Sequence, residues 1–395
     1  MSKKSPQLRF EGFTDDWEER KLENIAQINK GIQRGKQEIS SVRNELNPYP
    51  VYNGGKKASG YTDECNRENS VMVSEGGASA GYVNYYSGKY WSGGHNFTIS
   101  NDTKHDTFFL LYVLQKSQEK LYKLQVGTGL PNIQLKSIKD FPIYSTSNTE
   151  QQKIGSFFKQ LDNTIALHQR KLDLLKEQKK GYLQKMFPKN GAKVPELRFA
   201  GFVDDWEQRK LSDLMTFSNG INAPKENYGK GTKMISVMDI LNPLPIKYDN
   251  ILNSVSVDKK IEDKNKVENG DLIFVRSSEI VEEVGWAKAY KEARYALYSG
   301  FAIRGKRISS YNAYFIELTL NYANRKEIER RAGGSTRFNV SQEILNSLTV
   351  LTPSISEQNQ IDLFFTKIDD TITLHQRKLD LLKEQKKGFL QKMFV

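Results

Sequence analysis

The stretch LHQRKLDLLKEQKKG occurs twice in this chain, letter for letter, at residues 167–181 and 374–388. A helix-like segment kept identical at two places needs two equivalent settings to sit in. The repeat is wider than that segment. Residues 150–187 return as 357–394, a shift of 207, and the opening QLRFEGFTDDWEERKL (residues 7–22) returns as ELRFAGFVDDWEQRKL (residues 196–211), a shift of 189. The second copy therefore holds 18 more residues between Leu211 and Glu357 than the first holds between Leu22 and Glu150. The plan is opening, variable middle, long repeat, twice over. It implies two matching mounts that carry two unlike working surfaces.

The long repeat has a seam. Ile154, Phe158, Leu161, Ile165, His168, Leu172, Leu175, Lys179, Tyr182 and Met186 follow one another at alternating steps of four and three. Ile361, Phe365, Ile368, Ile372, His375, Leu379, Leu382, Lys386, Phe389 and Met393 do the same. Such an apolar stripe predicts coiled-coil helices, each about 57 Å long at about 1.5 Å per residue. The stripe must be covered, and the other copy is the natural cover. The first copy leads into a second globular part before the second copy begins, so the pairing should be antiparallel and pseudo-two-fold symmetric. His168 and His375 read as register-setting seam positions, and Lys179 and Lys386 as snorkelling side chains. Ser and Thr residues before Glu150 and Glu357 suit helix N-caps. Gly181 and Gly388 should weaken or bend the last turns.

The middles read as mixed α/β. In the first, residues 70–75, 80–87 and 96–100 look like strands and 106–125 like a helix; in the second, 271–278 and 299–305 look like strands and 311–332 like a helix. A Gly/Thr loop follows each helix (126–133 and 333–340), then a strand from Asp140 or Ser347. The expected fold is α+β: two mixed α/β domains at 1–149 and 188–356, joined by long helices at 150–187 and 357–395.

Chemistry-bearing motifs are scarce. There is no phosphate-binding GxxxxGK[ST] loop. NPYPVY at 47–52 has the wrong order for an adenine-methylase motif, and no Gly-rich cofactor loop follows a strand. His95 and His105 lack a ligand-spaced partner, and the single cysteine, Cys65, excludes a cysteine cluster. The expectation is a non-catalytic chain with no cofactor or metal of its own. There is no apolar run long enough for a membrane span and no secretory signal, so no membrane partner and a cytoplasmic place are expected. The net charge of +12 points to an anionic partner, yet no stretch is polycationic, so any nucleic-acid site must be assembled by folding.

The candidates for it are polar, aromatic and basic residues on glycine-containing loops, where backbone approaches a ligand closely. In the first middle these are Asn53, Lys56, Lys57, Ser59, Tyr61, His95, Asn96, Thr128 and Asn132. In the second they are Arg276, Ser277, Ser278, Thr336, Arg337 and Asn339.

Taken together, the GFxDDWExRKL openings (12–22 and 201–211), the Gly/Thr loops and the two helices ending in LQKMF resemble the specificity subunits of type I DNA restriction-modification systems, over the full chain. The resemblance implies two target-recognition domains, each reading one part of an interrupted double-stranded DNA site. It implies that the repeated helices form the spacer and bind two methyltransferase subunits. Those subunits would use S-adenosylmethionine to methylate adenine N6, with ATP and Mg reserved for separate restriction subunits. No base contact transfers residue by residue. Two other classes fit the residues less fully: a stand-alone DNA-binding repressor dimerised by its coiled coil, and a structural adaptor with lectin-like domains.

Overall fold

The computed structural model describes residues 5–101, 105–127, 129–189 and 191–395. The chain divides into two units, Met1–Gln169 with Arg377–Val395, and Arg170–Gln376. Each long helix is thus shared out: its first half lies in one unit and its second half in the other.

The first unit is built on a six-stranded sheet. Ala26–Lys30 pairs antiparallel with Asn96–Asn101, which pairs with Arg67–Ser74, which pairs with Val83–Ser92. Tyr49–Tyr52 runs parallel to the end of Val83–Ser92 and antiparallel to Gly60–Thr62. The core places Val71, Val73, Phe97 and Ile99 from the sheet with Phe109, Leu110, Leu111, Val113 and Leu114 from the helix Thr107–Lys116. A helix apolar all round is a buried helix. Asp106 caps it, accepting from the Phe109 N–H at 2.8 Å. The helix ends at Ser117, where a second short helix, Gln118–Tyr122, begins.

The second unit repeats this strand order with other lengths. Met215–Asn219, Ala302–Arg307, Leu272–Val275 and Ala287–Ala289 form an antiparallel sheet, and Ser254–Val255, Tyr228–Ile235 and Leu297–Tyr298 form a second. The long strand Val83–Ser92 of the first unit corresponds to two short ones here, Ala287–Ala289 and Leu297–Tyr298. The predicted helix at 311–332 is interrupted: Ala313–Leu318 passes through a π turn at Thr319–Ala323 to Arg325–Arg331.

The repeated opening is structural. Its charged run forms an edge strand, Glu18–Lys21, against Pro142–Ser145, and Glu207–Lys210 pairs likewise with Thr349–Thr352. Trp17 and Leu22 flank the first, Trp206 and Leu211 the second, all four buried. Arg9 makes a two-pronged bond to buried Glu150 at 2.6 and 2.8 Å, and Arg198 does the same to buried Glu357 at 2.7 and 2.8 Å. The neighbouring amides tie in the short helices: the side-chain oxygen of Gln151 accepts from Asp106 N–H at 3.1 Å, and that of Gln358 from Asn312 N–H at 3.0 Å.

The long helices span Asn148–Lys185 and Ile355–Lys392. The first continues through Gly181 and the second through Gly388, so neither glycine ends its helix. All twenty seam positions are buried or half-buried. In the first unit Phe157 meets Phe389 at 5.1 Å and Asp162 meets Lys386 at 2.7 Å, so the two helices run antiparallel there. In the second, Phe364 meets Tyr182 at 4.9 Å and Asp369 meets Lys179 at 2.6 Å, with the roles of the helices exchanged. Lys179 and Lys386 are therefore ion-paired across the seam, not snorkelling. A phenol completes each pair: Tyr112 donates to Asp162 at 2.8 Å, and Tyr314 donates to Asp369. Burial, and then the facing carboxylate, push both phenols well above the ordinary tyrosine range.

The helix ends close the cores. Phe394 lies 6.1 Å from Trp17 and 5.7 Å from both Phe109 and Phe158. Phe187 stacks on Phe315 at 5.7 Å and lies 6.0 Å from Trp206 and 6.3 Å from Phe365.

Candidate nucleic-acid interface

At one end of the first unit's sheet, four loops are laced by backbone hydrogen bonds. Ile32 N–H donates to the Ser92 carbonyl at 2.8 Å, Glu75 N–H to the His95 carbonyl at 2.9 Å, and Ile133 N–H to the Glu75 carbonyl at 2.7 Å. Val126 and Asn132 exchange bonds of 2.8 and 3.0 Å. The second unit repeats the lacing. Ile221 N–H donates to the Tyr298 carbonyl, Arg276 N–H to the Phe301 carbonyl and Val340 N–H to the Arg276 carbonyl, each at 2.9 Å. Gly333 and Asn339 exchange bonds of 3.0 and 2.8 Å. One residue type is forced at the crossing: a Cβ on Gly31 would stand 2.1 Å from the Gly93 carbonyl oxygen, and one on Gly220 2.1 Å from that of Ser299.

The side chains on these equal frames differ. In the first unit Glu75 sits 2.7 Å from Lys30 Nζ and 3.7 Å from the exposed His95 ring. In the second, Arg276 takes the place of Glu75 and donates to the Gly300 carbonyl at 3.3 Å. Phe301, exposed, takes the place of His95. The Arg337 guanidinium lies 5.6 Å from the Phe301 ring centre, and its Nε donates to Ser277 Oγ at 3.2 Å. Beside the first frame, Arg34 stacks at 4.5 Å on Trp91 and pairs with Asp63 and Glu64.

The sequence candidates divide into outward and inward groups. Lys57, His95, Asn132, Thr336, Arg337 and Asn339 are exposed, and Arg276 and Tyr61 are half-buried. Lys56 is also exposed, its ammonium 5.2 Å above the Tyr82 ring. Asn339 Nδ2 donates to the Arg337 carbonyl at 3.1 Å, bracing the loop. Asn53 is engaged within the frame, its Oδ1 accepting from His95 N–H at 3.2 Å. The Ser59 hydroxyl donates to the Val51 carbonyl at 3.1 Å, and that of Ser278 to Glu283 at 2.6 Å. Two candidates are corrected. Asn96 is buried, donating to Ser92 Oγ at 3.1 Å, because its place on the strand turns it into the sheet. Ser277 is buried and serves Arg337 as acceptor. Thr128 lies outside the described residues.

Glu75, Lys30 and the Gly31–Ile32 crossing are absent from the sequence candidates. A signal for the crossing exists: KGIQ at 30–33 and NGIN at 219–222 continue the 189-residue shift past the obvious end of the repeat. Among the described residues no group of three or more His, Cys, Asp or Glu is arranged to hold a metal ion, and no helix is long and apolar enough to cross a membrane.

A family model described as the type I restriction modification DNA specificity domain matches the chain twice, at residues 14–177 and 203–384. A putative type I specificity subunit of Mycoplasma genitalium is 26% identical over 224 residues, which cover 55% of this chain and 56% of that protein. The chain thus spans little more than half the length of that relative. The putative type I restriction enzyme MjaX specificity subunit of Methanocaldococcus jannaschii is 22% identical over 95% of this chain and 92% of its own length. The crystal structure of a type I restriction-modification S subunit from M. genitalium superposes with a TM-score of 0.72 at 21% identity, covering 99% of each chain. That last likeness is one of fold.

Proposed function

Since the chain belongs to the type I restriction-modification DNA specificity family, which the match over both of its halves shows, we propose that it reads a two-part, interrupted DNA target. Each loop frame would meet one part. The chain carries no chemistry of its own. It brings two methyltransferase subunits to the target, which supply S-adenosylmethionine and methylate adenine N6. ATP-driven restriction subunits join the same assembly in the cytoplasm. The observation that carries this reading is the pair of frames: identical backbone lacing, at the same place on the same strand order, holding unlike side chains. A family of readers must vary its contacts without rebuilding its scaffold, and loops on a rigid support do that. Base edges in the major groove offer patterned donors and acceptors, which exposed Arg, His, Lys and Asn side chains match.

The test is a transplant. Residues 23–149 are replaced by those of a relative, the chimera is co-expressed with its methyltransferase, and methylated adenines are mapped by sequencing. One half of the target should change and the other persist; change in both halves, or in neither, would refute the reading. Phosphate contacts should also make binding fall steeply with salt, as log K against log[salt] with a slope of about −0.9 per phosphate engaged.

A further inference from the structure

We infer that residues 75 and 276 are one specificity position with opposite hydrogen-bond polarity: Glu75 accepts from an exocyclic amino group in one half of the target, and Arg276 donates to guanine in the other. This rests on the reading of the chain as a DNA reader and names the residues that set part of its choice.

The equivalence of the two residues comes from backbone geometry alone. Each donates its N–H to the residue at the tip of the neighbouring hairpin, His95 or Phe301, at 2.9 Å. Each accepts from the residue that closes the Gly/Thr loop, Ile133 or Val340, at 2.7 and 2.9 Å. The following residues pair across the same bridge, Gly76 with Asn132 and Ser277 with Asn339. A residue held from both sides in this way has its Cα fixed, so its side chain leaves the frame from a set point. In the first unit that side chain is a carboxylate. Its Oε1 is taken by Lys30 at 2.7 Å, and its Oε2 stands 3.7 Å from His95 Nδ1, beyond hydrogen-bond distance. A carboxylate oxygen accepts, as cytosine N4 or adenine N6 requires. In the second unit it is a guanidinium with five N–H donors. Among the described residues it donates to the Gly300 carbonyl, a long bond of 3.3 Å, which leaves the planar fork that fits guanine O6 and N7. The surroundings follow the same inversion: Lys30, which balances Glu75, is replaced at the 189-residue shift by the uncharged Asn219.

The experiment uses the full chain with its methyltransferase partner, a pool of randomised DNA duplexes at one fixed salt concentration, and sequencing of the bound fraction. Wild type should enrich a two-part motif; if it enriches none, the reading of the chain as a two-part reader falls, and this inference with it. If the motif appears, the variants decide. Arg276→Gln should lose preference for guanine at one position of one part, by about tenfold or more, with affinity for unselected duplex kept within about twofold. Glu75→Gln should relax a preference for cytosine at one position of the other part, or sharpen one for adenine, since an amide that both donates and accepts fits adenine N7 and N6. Arg276→Lys should restore part of the guanine preference, which a purely structural role for Arg276 would not produce. Unchanged motifs, changes in both parts from one substitution, or a uniform loss of binding would overturn the assignment. If Arg276→Gln fails to fold, Arg276→Lys and Glu75→Gln still separate support from refutation.

Discussion

The aromatic clusters and the loop frames of the two units were repeated in different ways. Around Phe394 stand Trp17, Phe109 and Phe158; around Phe187 stand Trp206, Phe315 and Phe365, the same ring types in the same places. Around Glu75 and Arg276 only the backbone bonds agree, and the side chains differ even in sign. The difference shows what each kind of contact demands of a sequence. A packed core is held by side-chain volume, so a changed ring is felt. A frame laced by N–H and C=O groups holds with any side chain attached, save at a crossing such as Gly31. Invariance therefore marks the mounts and freedom marks the mouths.

The largest test of this contrast is core truncation. Phe394→Ala and Phe187→Ala should each cost about 3–5 kcal/mol, read as a lowered unfolding transition, and the two losses should be alike because the clusters are alike. A large loss from one and none from the other would break the equivalence of the mounts. Next comes the seam. Lys386→Met and Lys179→Met each take the ammonium from a carboxylate and leave it its tyrosine donor, and should cost about 1.5–3 kcal/mol, the range for hydrogen bonds to charged groups, measured by denaturant midpoints. A half-exposed pair such as this one should fall at the low end. The smallest effect sharpens the comparison from the side of a difference. Glu317, buried in the second unit, accepts from Ala289 N–H at 2.7 Å and lies 3.8 Å from Lys288. Burial raises its pKa above 4.5, against the opposing pull of Lys288. The folded state then holds a proton that the unfolded chain has released, so stability falls as pH rises from about 4.5 through the raised value. Glu317→Gln should flatten that slope in thermal melts across the window; a slope that persists would assign it to another group, with buried Asp271, also raised by burial, the first to try.

The long helices were legible because a four-three stripe has few other meanings, and their antiparallel contacts followed from chain order. The edge strands Glu18–Lys21 and Glu207–Lys210 were not. EERK and EQRK carry no alternation of apolar and polar residues, and their partners lie more than a hundred positions along the chain. The shared hydroxyl on the seam was hidden in another way. Tyr112 and Tyr314 meet equivalent aspartates, but they sit one helical turn apart on their own helices, since Phe109 matches Phe315. In the candidate interface, glycine and lysine marked the loops on which Lys56, His95 and Arg337 stand exposed. They could not say which neighbours point inward, as Asn96 and Ser277 do, because facing on a strand is set by register. Glu75 escaped because its counterpart has the opposite charge, and only the bonds around the two reveal that they match.

The place of Met393 and Phe394 in the first unit's core has a consequence for synthesis. As the polypeptide emerges from the ribosome, residues 5–169 must wait, with Trp17, Phe109 and Phe158 uncovered, until every residue of the second unit has been made. A ribosome that stalls anywhere in that interval leaves a nascent chain with a sticky, unfinished hydrophobic surface, so a chaperone or an early-arriving partner would have most to do before the last helical turn is translated.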